Sequence, residues 1–530
     1  MRFITAPALW LVCFLSVITL TESARILAIT AVPSYSHQIP FQPLWVALSQ
    51  RGHQVIVLTT DPIGDPSLTN LTEIDFRSNY NIFKKIDFAK LRFTDSWLTI
   101  SRNIMWENFY ELTDTILKHP KVQKMYAPNS DEHFDLVIAE VLMSPALYVL
   151  AHRFNAPLIG TTSLPLFASH YYSFGFPVLP SHPSTWEMEY NTGFNLSLWQ
   201  RMTNFIRLWN YIYNMHNEFM SRQQALAKEY FGKDVPDIIE MEKNISIIFC
   251  NLQEITSFIR PQPQNVIYFK SFHQMKKPAA LPNDLKTFLD DVPNGFIYVS
   301  LGTNVAIQSL PKHLRHVFYY VFANLPCKVV WKFDGDSSNL SNNIFAANWF
   351  PQQDILAHPK IRLFLYQGGA QSTEEAVYNA VPLLGIPILA DQCTQVRKMV
   401  SIGVAKSLEI VDLTVKELNS SIMDILLDER YKERMLEIKA LYEDKPNNME
   451  LEDAIWWTEF VIRHKGVSHL RTSIANESWY ERYDMDIIAI LSIIMFITLM
   501  ITLLIIYKLL KIIFNWLCTK KPIDVKKKSN

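Results

Sequence analysis

Short runs of β-branched, aliphatic and aromatic residues alternate along this chain with stretches of helical period, the pattern of a parallel sheet covered on both faces. Ile26 to Val32 reads as a first strand, followed by a loop through His37, a helix over Phe41 to Gln50 and a strand at Gln54 to Thr59. That is a βαβ opening. Asp135 to Ala139 and Ala156 to Gly160 read as further strands separated by the helical stretch Pro145 to Phe154, and Ser246 to Asn251 adds another. Between Pro261 and Pro282 the pattern loosens into PQPQ and then KKPAALP, which breaks helix and strand alike and reads as a linker. A second alternation follows. It runs through strand Phe296 to Val299, the turn Ser300 to Thr303, a helix from about Pro311 to Leu325 and strand Lys328 to Lys332. Strand Ile361 to Tyr366, a helix over Ser372 to Asn379 and the helical run Val415 to Tyr442 complete it.

Both ends break this alternation. Met1 to Ala24 carries one Arg, an apolar run from Ile4 to Leu20 and small residues at Ser23 and Ala24, the layout of a cleavable secretory signal. As a membrane span that run is short and holds Pro7. Ile487 to Tyr507 has no charge and matches the roughly 20 residues that cross a bilayer. Glu477, Glu481, Asp484 and Asp486 precede it with Arg482 in opposition, and Lys508, Lys511, Lys520, Lys521 and Lys526 to Lys528 follow. The positive-inside rule then puts the tail in the cytosol and the bulk of the chain in the lumen. Lys527 and Lys528 look like the dilysine signal that retrieves membrane proteins to the endoplasmic reticulum; the plainer reading is a basic flank that meets anionic lipid. Roughly 460 residues lie between signal and span, too many for one core. The expected organisation is a signal at 1–24, a first domain at 25–260, a linker at 261–285, a second domain at 286–450, returning helices and a juxtamembrane segment at 451–486, the span at 487–507 and a basic tail at 508–530.

A formal net charge of -1 with no basic stripe outside the tail gives no reason to expect nucleic acid. Asn70, Asn195, Asn244, Asn339, Asn419 and Asn476 head sequons that suit a lumenal domain. With Cys13 in the signal and Cys518 in the tail, Cys250, Cys327 and Cys393 remain, too scattered for a disulfide framework or a metal-ligand set. Leu164 to Trp186 is rich in Tyr and Phe, and Leu198 to Met220 places Trp199, Met202, Phe205, Ile206, Trp209, Ile212 and Phe219 at helical spacing. A stripe of that kind is more often core than ligand site or membrane contact, and core is the expectation here.

The segment Asn348 to Gln392 carries the chemistry. Strand Ile361 to Tyr366 ends in Gln367, Gly368 and Gly369 before a helix, so the backbone can approach an anion and aim free helical N–H groups at it; diphosphate is the natural guest. Glu375 and Asp391, with Gln392 beside it, stand where sugar hydroxyls could be read, while Trp349 offers a flat face for a uracil ring and Gln352 lies near it. Trp349, Gln352, Gly368, Gly369, Ser372, Glu375, Asp391 and Gln392 in this register resemble the signature of the family 1 UDP-glycosyltransferases. Further resemblance lies in SHQIPFQPLWVALSQRGHQVIVLTT, in FIYVSLGT and in DAIWWTEFVIRHKGVSHLR, and the pattern looks most like the membrane-bound animal enzymes, those of insects.

The resemblance implies a GT-B fold of α/β class: two Rossmann-like domains facing a cleft, plus the C-terminal transmembrane helix. Acceptor would bind mainly in the first domain and UDP-sugar mainly in the second, with the helices around Trp456 and Trp457 crossing back. His37 stands where the family carries its catalytic histidine, and a loop after the first strand is where ligands bind in open α/β sheets. A neutral imidazole there can take a hydroxyl proton. Where the family has an orienting Asp, this chain has Glu140; Asp135 stands at the far end of that strand, Asp131 and Glu132 read as surface, and His53 reads as packing or capping. Gln367 stands where many relatives have His, and can donate a hydrogen bond without bringing charge. Ser300 and Thr303 would join the phosphate site, or form a plain turn. Phe269 to His273 replaces a Gly-Gly common in the family.

HExxH, CxxC, G-x-S-x-G, Walker A and G-x-G-x-x-G patterns do not occur, and no acid cluster suggests a metal, so the expectation is no cofactor beyond the UDP-sugar co-substrate. Expected partners are UDP-sugar, a small lipophilic acceptor and a membrane, with homo- or hetero-oligomers open. Two competing readings are a lumenal UDP-sugar-binding protein with weak or no catalysis, motivated by Glu140 and Gln367, and a tethered NAD dehydrogenase, which has no fingerprint.

Overall fold

The computed structural model describes residues 23–269, 279–290, 292–303, 305–444 and 449–519. Most of the expected signal, Lys270 to His273 of the replaced Gly-Gly, and the tail from Lys520, with Lys527 and Lys528, lie outside the described residues. The chain divides into two compact units, Met1–Thr472 and Ser473–Asn530.

In the first unit the apolar runs line up as two wholly parallel sheets. The first holds β1 (Arg25–Thr30), β2 (Gln54–Thr59), β3 (Leu71–Asp75), β4 (Leu136–Glu140), β5 (Leu158–Thr162), β6 (Ile248–Asn251) and β7 (Val266–Phe269), in the spatial order β3-β2-β1-β4-β5-β6-β7. The second holds β8 (Phe296–Ser300), β9 (Lys328–Lys332), β10 (Ile344–Ala347), β11 (Ile361–Tyr366), β12 (Leu383–Gly385) and β13 (Ala405–Ser407), in the order β10-β9-β8-β11-β12-β13. β4 and β8 are buried along their whole length, because helices cover both faces of the sheets. Each sheet starts in its middle and is extended first one way, then the other. The chain direction therefore reverses between β1 and β4 and between β8 and β11, which opens a crevice at the carboxyl ends of those strands.

The stretch expected as a linker contributes structure of its own. After Pro261 and Pro263 the run Val266–Phe269 pairs with β6, Ile248 against Val266, and a helix at Asn283–Asp290 begins before residue 285. The prolines stop a strand from starting earlier; they do not stop VIYF from pairing. Met449–His464 returns to the first sheet, where Ala454, Ile455 and Val461 share one core with Phe41, Leu44 and Leu48 of the Gln42–Gln50 helix region. Cys250, Cys327 and Cys393 are buried free thiols, and all six sequon asparagines are exposed.

One expectation is overturned. The helix Leu198–Asn214 buries Asn204, Leu208, Tyr211 and Ile212, while Leu198, Trp199, Met202, Phe205 and Ile206 face outward. Of the predicted core stripe, Ile212 and Phe219 are buried and Trp209 is half-buried. The helix has two apolar faces, and periodicity does not say which one finds a partner; the Leu208 and Tyr211 side wins because Trp106 and Phe219 fill the space beneath it.

In the second unit the helix Met485–Thr519 contains the uncharged run Ile487 to Tyr507 and continues past Lys508 and Lys511. At 1.5 Å rise per residue its 35 residues span about 52 Å, more than the ~30 Å of a hydrocarbon core, so it fits a single-pass membrane anchor with a turn or more to spare.

Candidate active site

Both crevices open onto one cavity of about 1090 Å³. On the first-sheet side, β1 runs out into a loop that Gln38 fastens: its amide donates to Val32 O at 2.9 Å and accepts from Thr59 Oγ1 at 2.9 Å. This presents His37, on the single turn Tyr35–Gln38, over the end of β4. His37 Nδ1 lies 2.5 Å from Glu140 Oε1, and the two side chains are 13% and 3% exposed. Glu140, the last residue of β4, stands behind His37 rather than on the cavity wall, and its Oε2 is buried without a partner among the described residues. With Nδ1 donating to the carboxylate, Nε2 is left to accept a proton.

The opposite wall is the turn after β11 and the helix Ala370–Tyr378. Gly369 is its N-cap, has no side-chain cap, and a Cβ built there meets nothing within 4 Å. The first helical bond runs from Thr373 N to Gly369 O at 3.0 Å, so the N–H groups of Ala370, Gln371 and Ser372 precede it and point past the helix end. Gly368 sits behind, at φ +96, against Val396 and the Gln392 backbone.

Around this turn the polar side chains hold one another. Gln352 Nε2 donates to Glu375 Oε2 at 2.6 Å and to Ser372 Oγ at 3.0 Å, and Gln353 Nε2 reaches Glu375 Oε1 at 3.2 Å. Gln392 commits its amide oxygen to the N–H groups of Ile388 and Leu389, at 2.9 and 3.0 Å, which leaves its nitrogen as the donor. Burial pushes the Asp391 carboxyl up to about 6, against the pull of His37. Gln367 packs its amide nitrogen on Gly302, and its Oε1 is buried without a partner among the described residues. Ser300, Gly302 and Thr303 also line the cavity, at the end of β8. Trp349 is 60% exposed, with Lys332 Nζ 4.6 Å from its ring centre and the Tyr35 ring edge-on at 6.0 Å.

Every residue singled out from the sequence for the site is therefore on this wall except Glu140 and Gly368, which stand directly behind it. His53 is elsewhere, taking Ala24 N at 3.2 Å, and Asp135 accepts Arg25 N at 2.7 Å at the other end of β4. Sequence reasoning missed three groups. Lys332 donates to Gly302 O at 2.9 Å, and burial pushes its amine down to about 8. Gln371 Nε2 donates across the cleft to Ser36 O at 3.0 Å, next to His37. Phe83, Phe88, Trp97, Met105 and Phe109 also line the cavity, from a segment that the sequence reading assigned to no element. A lysine closing a buried strand and the aromatic density of 76–110 were the available signals.

Among the described residues, and leaving His37 aside, the charged side chains on the cavity wall are Lys332, Asp354, Glu375 and Asp391, all from the second-sheet half. One half can thus hold a charged, hydroxyl-rich molecule and the other an uncharged apolar one, with a carboxylate-backed imidazole where they meet.

Known proteins resemble the chain over most of its length. Residues 24–521 match the family described as UDP-glucoronosyl and UDP-glucosyl transferase. UDP-glycosyltransferase UGT5 of Dactylopius coccus is 31% identical over 95% of this chain and 94% of its own. The ecdysteroid UDP-glucosyltransferase of Spodoptera littoralis nuclear polyhedrosis virus is 31% identical, over 90% of this chain and 95% of that one. Human UDP-glucuronosyltransferase 2B15 is 27% identical, over 86% and 88%. Among solved structures, the calicheamicin glycosyltransferase CalG4 shares the fold, with a TM-score of 0.55 at 16% identity over 84% of this chain and 99% of that one. On the strength of a match that runs nearly end to end, the chain belongs to the UDP-glucuronosyl and UDP-glucosyl transferase family and is a UDP-glycosyltransferase of GT-B fold.

Proposed function

We propose that this enzyme transfers a hexosyl group, from UDP-glucose in first place and UDP-glucuronic acid in second, to a hydroxyl of a small lipophilic acceptor, with inversion at the anomeric carbon. The observation that carries the reading is the His37–Glu140 pair at 2.5 Å, facing an uncapped helix N-terminus across one cavity. His37 Nε2 takes the hydroxyl proton as the acceptor oxygen bonds to the anomeric carbon. The bond from that carbon to the diphosphate breaks on the opposite face, and UDP leaves with the electron pair. Glu140 holds the imidazole and balances its charge. The Gly368 to Ser372 turn receives the diphosphate, with Ser300, Thr303 and Gln367 around it. Gln352 and Glu375 meet the nucleoside beside Trp349, and Asp391 and Gln392 meet the sugar. Gln367 in place of His costs a charge-assisted hydrogen bond, worth ~1.5–3 kcal/mol, and substitutes a neutral one of ~0.5–1.5 kcal/mol. That is about a tenfold penalty, which slows leaving-group departure without abolishing it.

UDP-glucose leads because no Arg or Lys lies within the Gly368 to Gln392 stretch to pair a sugar carboxylate. No metal is invoked: among the described residues no three His, Cys, Asp or Glu side chains gather to hold one, and the helix end supplies the positive potential. We place the protein in the endoplasmic reticulum membrane, body lumenal and tail cytosolic, from the flanking charges of the span and the sequons. Microsomes given each donor with a mixed panel of phenols and alicyclic alcohols should release UDP only when an acceptor is present, and faster from UDP-glucose. Acceptor-independent release, or none with either donor, would remove the proposal.

Asp391 gives a second test. Its ionised form accepts hydrogen bonds from sugar hydroxyls, and it protonates as pH falls through about 6, because burial raises its pKa. Donor affinity should therefore weaken below about pH 6 while UDP itself, lacking the sugar, is spared. The ratio of the dissociation constants of UDP-glucose and UDP is expected to climb between pH 7 and pH 5, and Asp391→Asn to flatten that climb. An unchanged ratio in the parent enzyme would take Asp391 away from the sugar.

A further inference from the structure

We propose that Gln371 is a positioning residue for the transfer: from the second-sheet half it bonds to the turn that carries His37, so that the helix proposed to receive the diphosphate also sets the base. The need for such a bond is written in the sequence around His37. In the single turn Tyr35–Gln38 the Ser36 carbonyl would take its helical hydrogen bond from the residue four positions on, and that residue is Pro40, which has no N–H. The neighbouring carbonyls are served within the loop: Ser34 O accepts from His37 N at 2.9 Å, Tyr35 O from Ile39 N at 3.1 Å and Gln38 O from Phe41 N at 3.1 Å. Ser36 O instead accepts from Gln371 Nε2 across the cleft, at 3.0 Å. That carbonyl belongs to the peptide unit leading into His37, so the bond acts on the backbone that aims the imidazole.

Two features give the bond a role beyond joining the halves. The first is where Gln371 stands: it is the second residue of the Ala370–Tyr378 helix, with its backbone N–H past the uncapped helix end and its side chain reaching residue 36. A diphosphate seated on that helix end would fix the residue whose side chain fixes the His37 turn. Tyr35, on the same turn, meets the Trp349 ring edge-on at 6.0 Å, so the wall proposed for the nucleoside touches it as well. The second feature is that the halves are held together elsewhere. Arg397 donates to Glu189 O at 3.0 Å and to Thr192 O at 2.7 Å, and Gln395 donates to Thr256 O at 3.2 Å. Loss of the Gln371 bond therefore leaves the halves joined and frees the His37 turn. Glu140 still holds the ring through Nδ1, and Gln38 still ties the end of the turn to Val32 and Thr59. The base is then misaligned rather than missing.

The inference rests on the reading of His37 as the base, and the experiment tells the two apart. The full chain is compared with Gln371→Met, which keeps the length of the side chain and removes the donor, with His37→Ala and with the double variant. UDP release from UDP-glucose, with the best acceptor of the phenol and alcohol panel, gives turnover, and calorimetry gives the dissociation constant for UDP. Gln371→Met is expected to lower turnover roughly tenfold, more than one neutral hydrogen bond is worth alone and less than a misplacement of about 1 Å costs. UDP affinity should stay within about twofold of the parent value, and the substitution should cost nothing further once His37 is gone. Pro40→Ala, added to Gln371→Met, returns an N–H to the Ser36 carbonyl and is expected to recover part of the loss. Parental turnover in Gln371→Met, with His37→Ala impaired, overturns the coupling and keeps the base; undiminished turnover in His37→Ala removes both. A drop in UDP affinity that matches the drop in turnover puts the Gln371 side chain on the diphosphate and overturns the proposal. Losses that multiply in the double variant overturn it too, as does no recovery from Pro40→Ala when that substitution alone is harmless.

Discussion

His37→Ala is expected to cut turnover by ~10²–10⁴-fold, the range lost when a positioned general base is removed, and to leave the dissociation constant for UDP within about twofold of the parent value. The separation follows from where the groups stand. His37 comes from the end of β1, whereas the groups placed to meet UDP come from residues 300–303 and 349–392 of the second-sheet half. Gln371 bonds to the Ser36 backbone carbonyl and not to the imidazole, so the alanine leaves that bridge intact. Glu140→Ala should fall between parent and His37→Ala, because Nε2 survives but loses the partner that holds its ring and balances its charge. Glu140→Asp is the sharper control. Glu140 Oε1 lies 2.5 Å from His37 Nδ1, and an aspartate, one methylene shorter, withdraws that oxygen because β1 and β5 fix the β4 backbone on either side. Turnover and UDP binding, measured by UDP release and by calorimetry on the same preparations, decide it. Undiminished turnover in His37→Ala would end the mechanism; loss of UDP binding in that variant would move His37 from the reaction to the fold.

Much of this geometry is written locally in the chain. Strands β2, β9 and β11 end where the β-branched runs end, since a central parallel strand has no polar face to blur its limits. The Gln367 to Gly369 turn is likewise legible, because a strand, two glycines and a helix are adjacent in sequence. Strands β3, β10, β12 and β13 are three to five residues long and have too few residues to show a period. What sequence cannot carry is which surfaces meet. Nothing in Gln371 says that it bonds to residue 36, and nothing in the Leu198 to Asn214 pattern says that its richer apolar face is the one left outside. Phe83 and Phe88 reach the cavity from four-residue helical turns, and Trp97, Met105 and Phe109 from the helical run Trp97–Lys118; which side of that run meets the cavity depends on the sheet it packs over.

Gly368→Ala is the substitution expected to damage the donor site most, and its neighbour supplies the comparison. At position 368 the backbone holds φ at +96, a region that costs a residue with a side chain ~1–3 kcal/mol. A Cβ there would also lie 2.7 Å from Val396 Cγ2 and 2.9 Å from Gln392 O. The valine can turn; the carbonyl cannot readily move, because the Gln392 side chain is tied to the N–H groups of Ile388 and Leu389. Relief therefore comes from pushing the 367–369 turn and the Asp391–Gln392 corner apart, which are the two places proposed to hold diphosphate and sugar. A displacement of about 1 Å between such groups costs ~10²-fold in catalytic efficiency, and the strain lowers the melting temperature as well. Gly369→Ala behaves differently. Its φ is -66 and a Cβ meets nothing within 4 Å, so the fold tolerates the methyl, which projects into the cavity beside the helix N-terminus. It should leave the melting temperature unchanged and weaken UDP by obstructing the diphosphate. Thermal melts with and without UDP distinguish the pair: equal UDP affinity in Gly369→Ala and the parent would mean that the diphosphate does not lie against this turn.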